Sequence, residues 1–276
     1  MNEVTPRRWP RGDFVGNTTI LVRQCDPDRS WQTCVPQSCR SRGGQKAVIE
    51  PFLSHSRWRT YADEAARAGT SAEALYSWNS QMSAALFEVL GHLECALRES
   101  VDCQLRTWNS RQGDARFVPG VAAGPDWALP SEAAAPLRSL VSGKCTEARS
   151  RVRKSGSPSH DDIVAQLSFG AWVSLIPRSS RNSHAKQWRL WDEAIVLAFP
   201  GLRGGSPREL HRRLAKLQEL RNRIAHHENL LSVNPVARLG DVLAILAAID
   251  QQLADHVAGE SWVRKAAETD PRRLGK

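Results

Sequence analysis

An arginine, an asparagine and two histidines stand close together near the end of a predicted helix. They belong to the segment LRNRIAHHENLL and are Arg221, Asn222, His226 and His227. Arginine offers a phosphate a fixed fork of donors, histidine can take or give a proton near neutral pH, and asparagine can hold either by a hydrogen bond. These residue types together are suited to phosphate chemistry.

The helix that must position these residues starts with strong signals. The segment SPREL (206–210) combines an N-cap serine, a proline at the first helical position and a glutamate at the third. An apolar stripe follows at helical spacing, and its positions are Leu210, Leu214, Leu217, Arg221, Ile224, Glu228 and Leu231. At about 100° per residue, Asn222 and His226 share a face, and Arg221 lies beside the stripe.

Two interpretations of the charge on the stripe remain open. Arg221 could form an ion pair or extend from the helix edge into water, which is a purely structural role. Alternatively, it is held in a groove between helices as a phosphate ligand beside an acid/base histidine. We prefer His226 as that histidine because it shares a face with Asn222, and His227 is the substitute.

Composition narrows the class of protein. The chain has 276 residues and a net charge of +9, which favours an acidic partner such as nucleic acid or a membrane surface. No segment is apolar enough for a membrane span, and no secretory signal opens the sequence. The six cysteines match neither a disulfide framework nor a zinc site. We therefore expect a reduced, cytoplasmic protein with no metal or other cofactor and no membrane partner.

Helical spacing of apolar residues predicts an all-α fold, a bundle of long helices. The predicted helices are 72–108 with Ser71 as N-cap, 131–154 with Ser131 as N-cap, 160–175 with Ser159 as N-cap, 187–199, 206 to beyond 226, and 237–258. We predict a disordered basic tail at 1–46, the helical domain at 47–258 and a charged C-terminal tail at 259–276.

Several segments in a fixed order resemble the Abi-like (abortive infection) family of the HEPN superfamily. They are a long early helix that ends in ECALRES, the segment QLSFGAWVSL, the segment LWDEAIVLAFPG, and LRNRIAHHENLL with its arginine and histidine. The resemblance covers roughly residues 47–258. One position departs from the pattern, since the family's Leu-Arg-Asn reads Leu97-Arg98-Glu99 here.

The resemblance implies an HEPN-like helical bundle that binds RNA and, in many members, cleaves it without a metal. It also implies a role in phage defence or in a toxin–antitoxin pair, a homodimer with its arginine–histidine helices at the interface, and an antitoxin protein or RNA as a further partner. On this basis Arg221 is the phosphate ligand, Asn222 positions the substrate and His226 is the acid/base.

The earlier helix adds two candidate supporting residues. Glu94 and Arg98 are four residues apart in the favourable order, so they form either a structural ion pair or part of the same groove. Glu99 near a phosphate would weaken binding. The alternatives to a ribonuclease are therefore a non-catalytic RNA-binding protein and an interaction module in a toxin–antitoxin pair.

Overall fold

The computed structural model describes residues 48–113, 123–153, 156–202, 204 and 206–273. Within them the chain forms helices and no strand, which confirms the all-α prediction. The α-helices are α1 (His55–Ala68), α2 (Ala72–Asn109), α3 (Leu137–Arg151), α4 (His160–Ala165), α5 (Phe169–Val173), α6 (Ala185–Glu193), α7 (Pro207–Ala225), α8 (Pro235–Ile249), α9 (Gln251–Glu260) and α10 (Val263–Glu268).

The chain divides into two units, Met1–Phe52 and Leu53–Lys276, and these α-helices all belong to the second. The predicted tail at 1–46 lies outside the described residues. A short 3₁₀ turn at Glu50–Phe52 is the described helical element of the first unit. No helix in the described ranges is both long enough and apolar enough to cross a membrane.

The long helix α2 organises the core of the second unit. It begins where the sequence predicts, because the Ser71 side chain accepts a hydrogen bond from the amide of Ala74. Its buried face recurs every three or four residues and includes Leu86, Leu93 and Leu97, which are fully buried. Helices α1, α5, α7, α8 and α10 all pack against it. Helix α2 therefore packs against α7, which carries Arg221, and itself carries Glu94 and Arg98.

The predicted helix at 131–154 starts too early and ends too late, since α3 spans only Leu137–Arg151. Ser131 is not its N-cap but has a left-handed backbone with φ of 67°. The preceding turns are fixed from α2, where the buried Asn109 amide donates to the carbonyls of Gly124 and Glu132. Because Asn109 supplies hydrogen bonds to this segment, those backbone groups do not require helical partners.

The predicted helix at 160–175 is two short helices, α4 and α5. Its start is confirmed, because Ser159 and Asp162 form a reciprocal capping box. The break comes at Ser168, whose side chain accepts from the Ala171 amide and caps a second helix. The predicted helix at 187–199 likewise divides into α6 and a 3₁₀ turn at Ile195–Ala198.

Helical structure continues beyond residue 258, where the sequence predicts that the helical domain ends. The last predicted helix is broken at Asp250, whose carboxylate caps α9 at the amide of Leu253. Beyond it, α10 lies within the predicted tail and buries Val263 and Ala267. The indole of Trp78 on α2 donates to the carbonyl of Ala266 at 2.8 Å. This segment is packed because its small and branched residues fit against α2, although its composition is polar.

Candidate functional site

Helix α7 carries the arginine and histidines, and it ends earlier than the sequence predicts. Its start is confirmed, with the Ser206 side chain accepting from the Arg208 amide and Pro207 in the first turn. The helix stops at Ala225, so the predicted stripe does not continue through Glu228 and Leu231. Glu228 is exposed beyond the helix, at 3.6 Å from Nε of Arg223.

The turn after α7 is a Schellman motif built on a histidine. The amide of Glu228 donates to the Arg223 carbonyl at 2.8 Å, and the amide of His227 donates to the Ile224 carbonyl at 3.0 Å. His227 takes the left-handed position of the motif, with φ of 54°. Glycine is usual there, because a Cβ in this region costs roughly 1 kcal/mol. A histidine in its place retains a side chain that the turn itself does not need.

Contacts from distant segments hold this turn in place. The amide of Leu230 donates to the buried Asn79 side chain on α2 at 2.6 Å. The guanidinium of Arg272 donates to the carbonyl of Leu231 at 2.6 Å and pairs with Asp270. Arg57 on α1 donates to the carbonyl of His226 at 2.8 Å. The sequence analysis missed these residues, since none has a local signal.

A groove of about 970 Å³ lies between α1, α2 and the end of α7. Its described lining is Leu53, Ser56, Arg57, Thr60, Tyr61, Tyr76, Asn79, Ser80, Ser83, Ala84, Phe87, Arg221, Ile224, Ala225, His227, Glu228 and Asn229. Tyr61 is buried and meets the ring of Tyr76 edge to face at 5.5 Å. Burial raises the pKa of the Tyr61 phenol to about 12, so it stays neutral.

The predicted site residues fall into two groups around this groove. Arg221 and His227 line it together. Asn222 and His226 are exposed and are not among its lining residues. The preference for His226 rested on the face that it shares with Asn222, and the amide of His226 does donate to the Asn222 carbonyl at 3.0 Å. That face lies outside the groove, whereas the substitute, His227, is among the residues that line it.

Glu94 and Arg98 lie next to Arg221. The carboxylate of Glu94 is 3.5 Å from Arg98 Nη2 and 3.9 Å from Arg221 Nε. The second distance brings opposite charges together but is too long for a hydrogen bond. Nε of Arg221 and Nε of Arg98 both lack a hydrogen-bond partner among the described residues. One carboxylate thus faces two guanidinium groups, which leaves an excess of positive charge at this end of the groove.

A second polar cluster, which the sequence analysis did not predict, lies further along α2. The buried carboxylate of Asp102 accepts from Trp127 Nε1 at 2.7 Å and lies 3.0 Å from His160 Nε2. The other ring nitrogen of His160 accepts from the Ala128 amide at 3.3 Å. That contact places the ring proton on Nε2, so His160 donates to Asp102. Every polar atom of this imidazole has a partner, which identifies the cluster as structural.

The segment QLSFGAWVSL has a packing role. Ser168 caps α5, and Gly170 faces α7. A Cβ on Gly170 would lie 2.6 Å from Nε2 of Gln218 on α7. Because this atom is the end of a flexible side chain, a larger residue at 170 would require the Gln218 side chain to shift.

Comparison with known proteins adds no relative. No family model matches the chain, and no curated protein and no solved structure is found to be similar to it. The likeness to the Abi-like family rests on the sequence segments quoted above. The function is therefore proposed from the groove and from those segments.

Proposed function

We propose that this protein binds RNA in the groove between α1, α2 and α7 and cleaves it as a metal-independent endoribonuclease of the abortive-infection type, acting in phage defence. One observation carries the proposal: a cation and an acid/base group, Arg221 and His227, line one open groove. No carboxylate in the described chain forms a hydrogen bond with the Arg221 guanidinium, so it is available to a phosphate.

The chemistry requires no group beyond those in the groove. RNA carries its own nucleophile, the 2′-hydroxyl. His227 takes the proton from that hydroxyl as its oxygen bonds to phosphorus, and Arg221 stabilises the charge on the phosphoryl oxygens. The bond to the 5′-oxygen breaks, and that oxygen takes a proton from water and leaves as a hydroxyl. The products end in a 2′,3′-cyclic phosphate and a 5′-hydroxyl.

The test is cleavage of a labelled RNA by purified protein in excess chelator. We expect cyclic-phosphate products from the wild type and their loss in Arg221→Ala. Arg208→Ala is the matched control, because Arg208 is an exposed arginine at the start of the same helix. Cleavage by Arg221→Ala at the wild-type rate, or no cleavage by the wild type, would contradict the proposed activity.

The second candidate is an RNA-binding protein without catalysis. Two features favour it: Glu94 lies near the phosphate ligand, and Glu99 stands where the family pattern has asparagine. Wild-type protein that binds RNA with a steep salt dependence but never cleaves it would support this candidate.

The proposal includes a homodimer. Among the described residues, the groove has one lining histidine, and a twofold axis near the end of α7 would bring a second Arg221 and His227 to the same RNA. Light scattering at micromolar concentration should show twice the chain mass. Fully active monomers would contradict this part of the proposal.

A further inference from the structure

A second cleft lies beside α3 and shares no lining residue with the groove. It has a volume of about 250 Å³ and is bounded by one face of α3 and by the turns at residues 127–133. Trp127 in its wall is bonded to Asp102 on α2. Fifteen residues of α2, about 22 Å of helix, separate Asp102 from Phe87 in the groove. The cleft is therefore a separate place in the fold.

Two arginines are the first and last residues of α3 that line this cleft, Arg138 and Arg149. They are eleven residues apart, which is about three helical turns, so they share a face of the helix. The same spacing separates their backbones by about 16 Å. The cleft thus has a guanidinium group from each end of one helical face.

These two positive charges have no compensating carboxylate in the described chain. No aspartate or glutamate lines the cleft there, and neither lining arginine forms an ion pair. Glu147, on the same helix, pairs with Arg151 instead. Both lining arginines are half-buried, and a guanidinium group that is partly removed from water is stabilised by an anion. The charge of the cleft therefore favours an anionic ligand.

The guanidinium group of Arg138 is already oriented. Its Nε donates to the carbonyl of Ala133 at 2.8 Å, which fixes the plane of the group. Its two Nη atoms have no partner within the described ranges, and Arg149 has no side-chain hydrogen bond there. A fork of N–H donors in a fixed plane matches the two oxygens of a carboxylate.

Between the arginines the cleft is lined mainly by apolar groups. Val141 and Cys145 on α3 are buried, and Ala128 and Leu129 lie on the opposite wall. Burial raises the pKa of the Cys145 thiol to about 11, so this group is uncharged at neutral pH and belongs to the apolar surface. The other polar groups of the described lining are exposed hydroxyls, those of Ser131, Ser142 and Thr146.

We propose that this cleft binds a small organic dianion that has an acidic group at each end of an apolar body. Arg138 and Arg149 bind the two acidic groups, and the apolar body lies on Val141 and Cys145. The volume is below that of a usual drug-sized site, so the cleft is too small for a nucleic acid duplex or a folded peptide. This inference does not depend on the proposed ribonuclease activity.

The test is isothermal titration calorimetry of the full chain with suberate, a dicarboxylate whose acidic groups are joined by a chain of methylene groups. We expect suberate to bind at least tenfold more tightly than octanoate, which keeps the chain but has one carboxylate, because suberate forms a second charge-assisted contact. Malonate has two carboxylates that are too close together to reach both arginines, so it should bind no better than octanoate. Malonate that binds as tightly as suberate, or suberate that does not bind, would overturn the proposal.

Arg149→Gln removes one end of the site with the least effect on the fold, because this guanidinium group has no hydrogen bond in the described chain. It should lower the affinity for suberate about tenfold, to the level of octanoate. Arg153→Gln is the matched control, since Arg153 is exposed and does not line the cleft. Equal losses in the two variants would show an effect of net charge alone and would overturn the site. Arg138→Gln should match Arg149→Gln, which decides alone if loss of the Ala133 contact unfolds the turn.

Amide hydrogen exchange locates the bound ligand. Suberate should slow exchange at residues 127–133 and 138–149 and leave residues 224–231 beside the groove unchanged. Protection confined to the groove would overturn the assignment to this cleft. RNA cleavage by Arg149→Gln should equal that of the wild type, and an inactive wild type that still binds suberate would contradict only the proposed function. Loss of RNA binding in both arginine variants, without suberate binding, would assign these arginines to RNA and overturn the inference.

Discussion

His160 and His227 lie near different parts of α2 and differ in their surroundings. His160 is 3% exposed, and both of its ring nitrogens have partners, at Asp102 and the Ala128 amide. His227 is exposed, takes a left-handed backbone and lines an open groove. The first is held where its hydrogen bonds offset burial. The second occupies a position where glycine is easier, so the backbone there does not depend on its imidazole.

Arg272 and Arg221 differ in the same way, one with hydrogen-bond partners in the fold and one without. Arg272 donates to a carbonyl and pairs with Asp270, and this pairing raises the pKa of its guanidinium further above its usual value. Arg221 has no hydrogen bond within the described chain, and the carboxylate of Glu94 lies 3.9 Å from its Nε. A fully paired guanidinium contributes to the fold, whereas one without hydrogen bonds can bind a ligand.

The largest expected effect separates activity from stability at His227. His227→Gly should lower the rate of RNA cleavage by about 10²–10⁴-fold, because the acid/base group is lost. The melting temperature should stay level or rise, since glycine takes the left-handed position without a Cβ penalty. Cleavage and thermal unfolding are measured on the same preparation.

The control for this prediction is His226→Ala, which removes the neighbouring imidazole from outside the groove. It should retain most of the activity. The reverse pattern, an inactive His226→Ala and an active His227→Gly, would assign the acid/base role to His226 instead of His227.

The next effect is on stability at the buried cluster. Asp102→Ala leaves two buried donors, on Trp127 and His160, without a partner. The free energy of unfolding should fall by about 3 kcal/mol, since each unsatisfied buried group costs roughly 1–3 kcal/mol. Asp102→Asn keeps an accepting oxygen and should cost less. Cleavage per folded molecule should not change in either variant, and a specific loss of activity would place this cluster in the functional site.

A smaller effect is expected where Arg272, in the packed C-terminal segment, contacts the chain after α7. Arg272→Gln removes the donor to the Leu231 carbonyl and should lower the free energy of unfolding by about 1–2 kcal/mol. Amide hydrogen exchange at residues 227–231 should accelerate more than in α3, which Arg272 does not contact. Uniform acceleration across the chain would show that Arg272 supports the fold generally and does not hold the turn.

The smallest effect concerns the carboxylate near Arg221. Glu94→Gln should raise RNA affinity by about threefold, because a partly exposed ion pair is worth at most about 1 kcal/mol. Glu88→Gln on the same helix removes the same charge at an exposed position and serves as the control. Equal gains in both variants would mean that net charge, and not release of Arg221, controls binding.

The sequence by itself determined the helical class and the starts of three helices, α2, α4 and α7. Ser71, Ser159 and Ser206 cap helices as predicted, since a cap depends on residues within one turn of it. Apolar periodicity identified α2 almost to the residue, because burial on one face repeats along the whole helix.

The tertiary structure decided where α7 ends and which histidine enters the groove. The end at Ala225 depends on contacts from Asn79, Arg57 and Arg272, which lie far away in sequence. A helical wheel correctly placed Asn222 and His226 on one face, but it could not show that this face lies outside the groove. Once His227 takes a left-handed backbone, the chain leaves the helix. Its side chain then lies in the groove with Arg221, an arrangement that only long-range packing can specify.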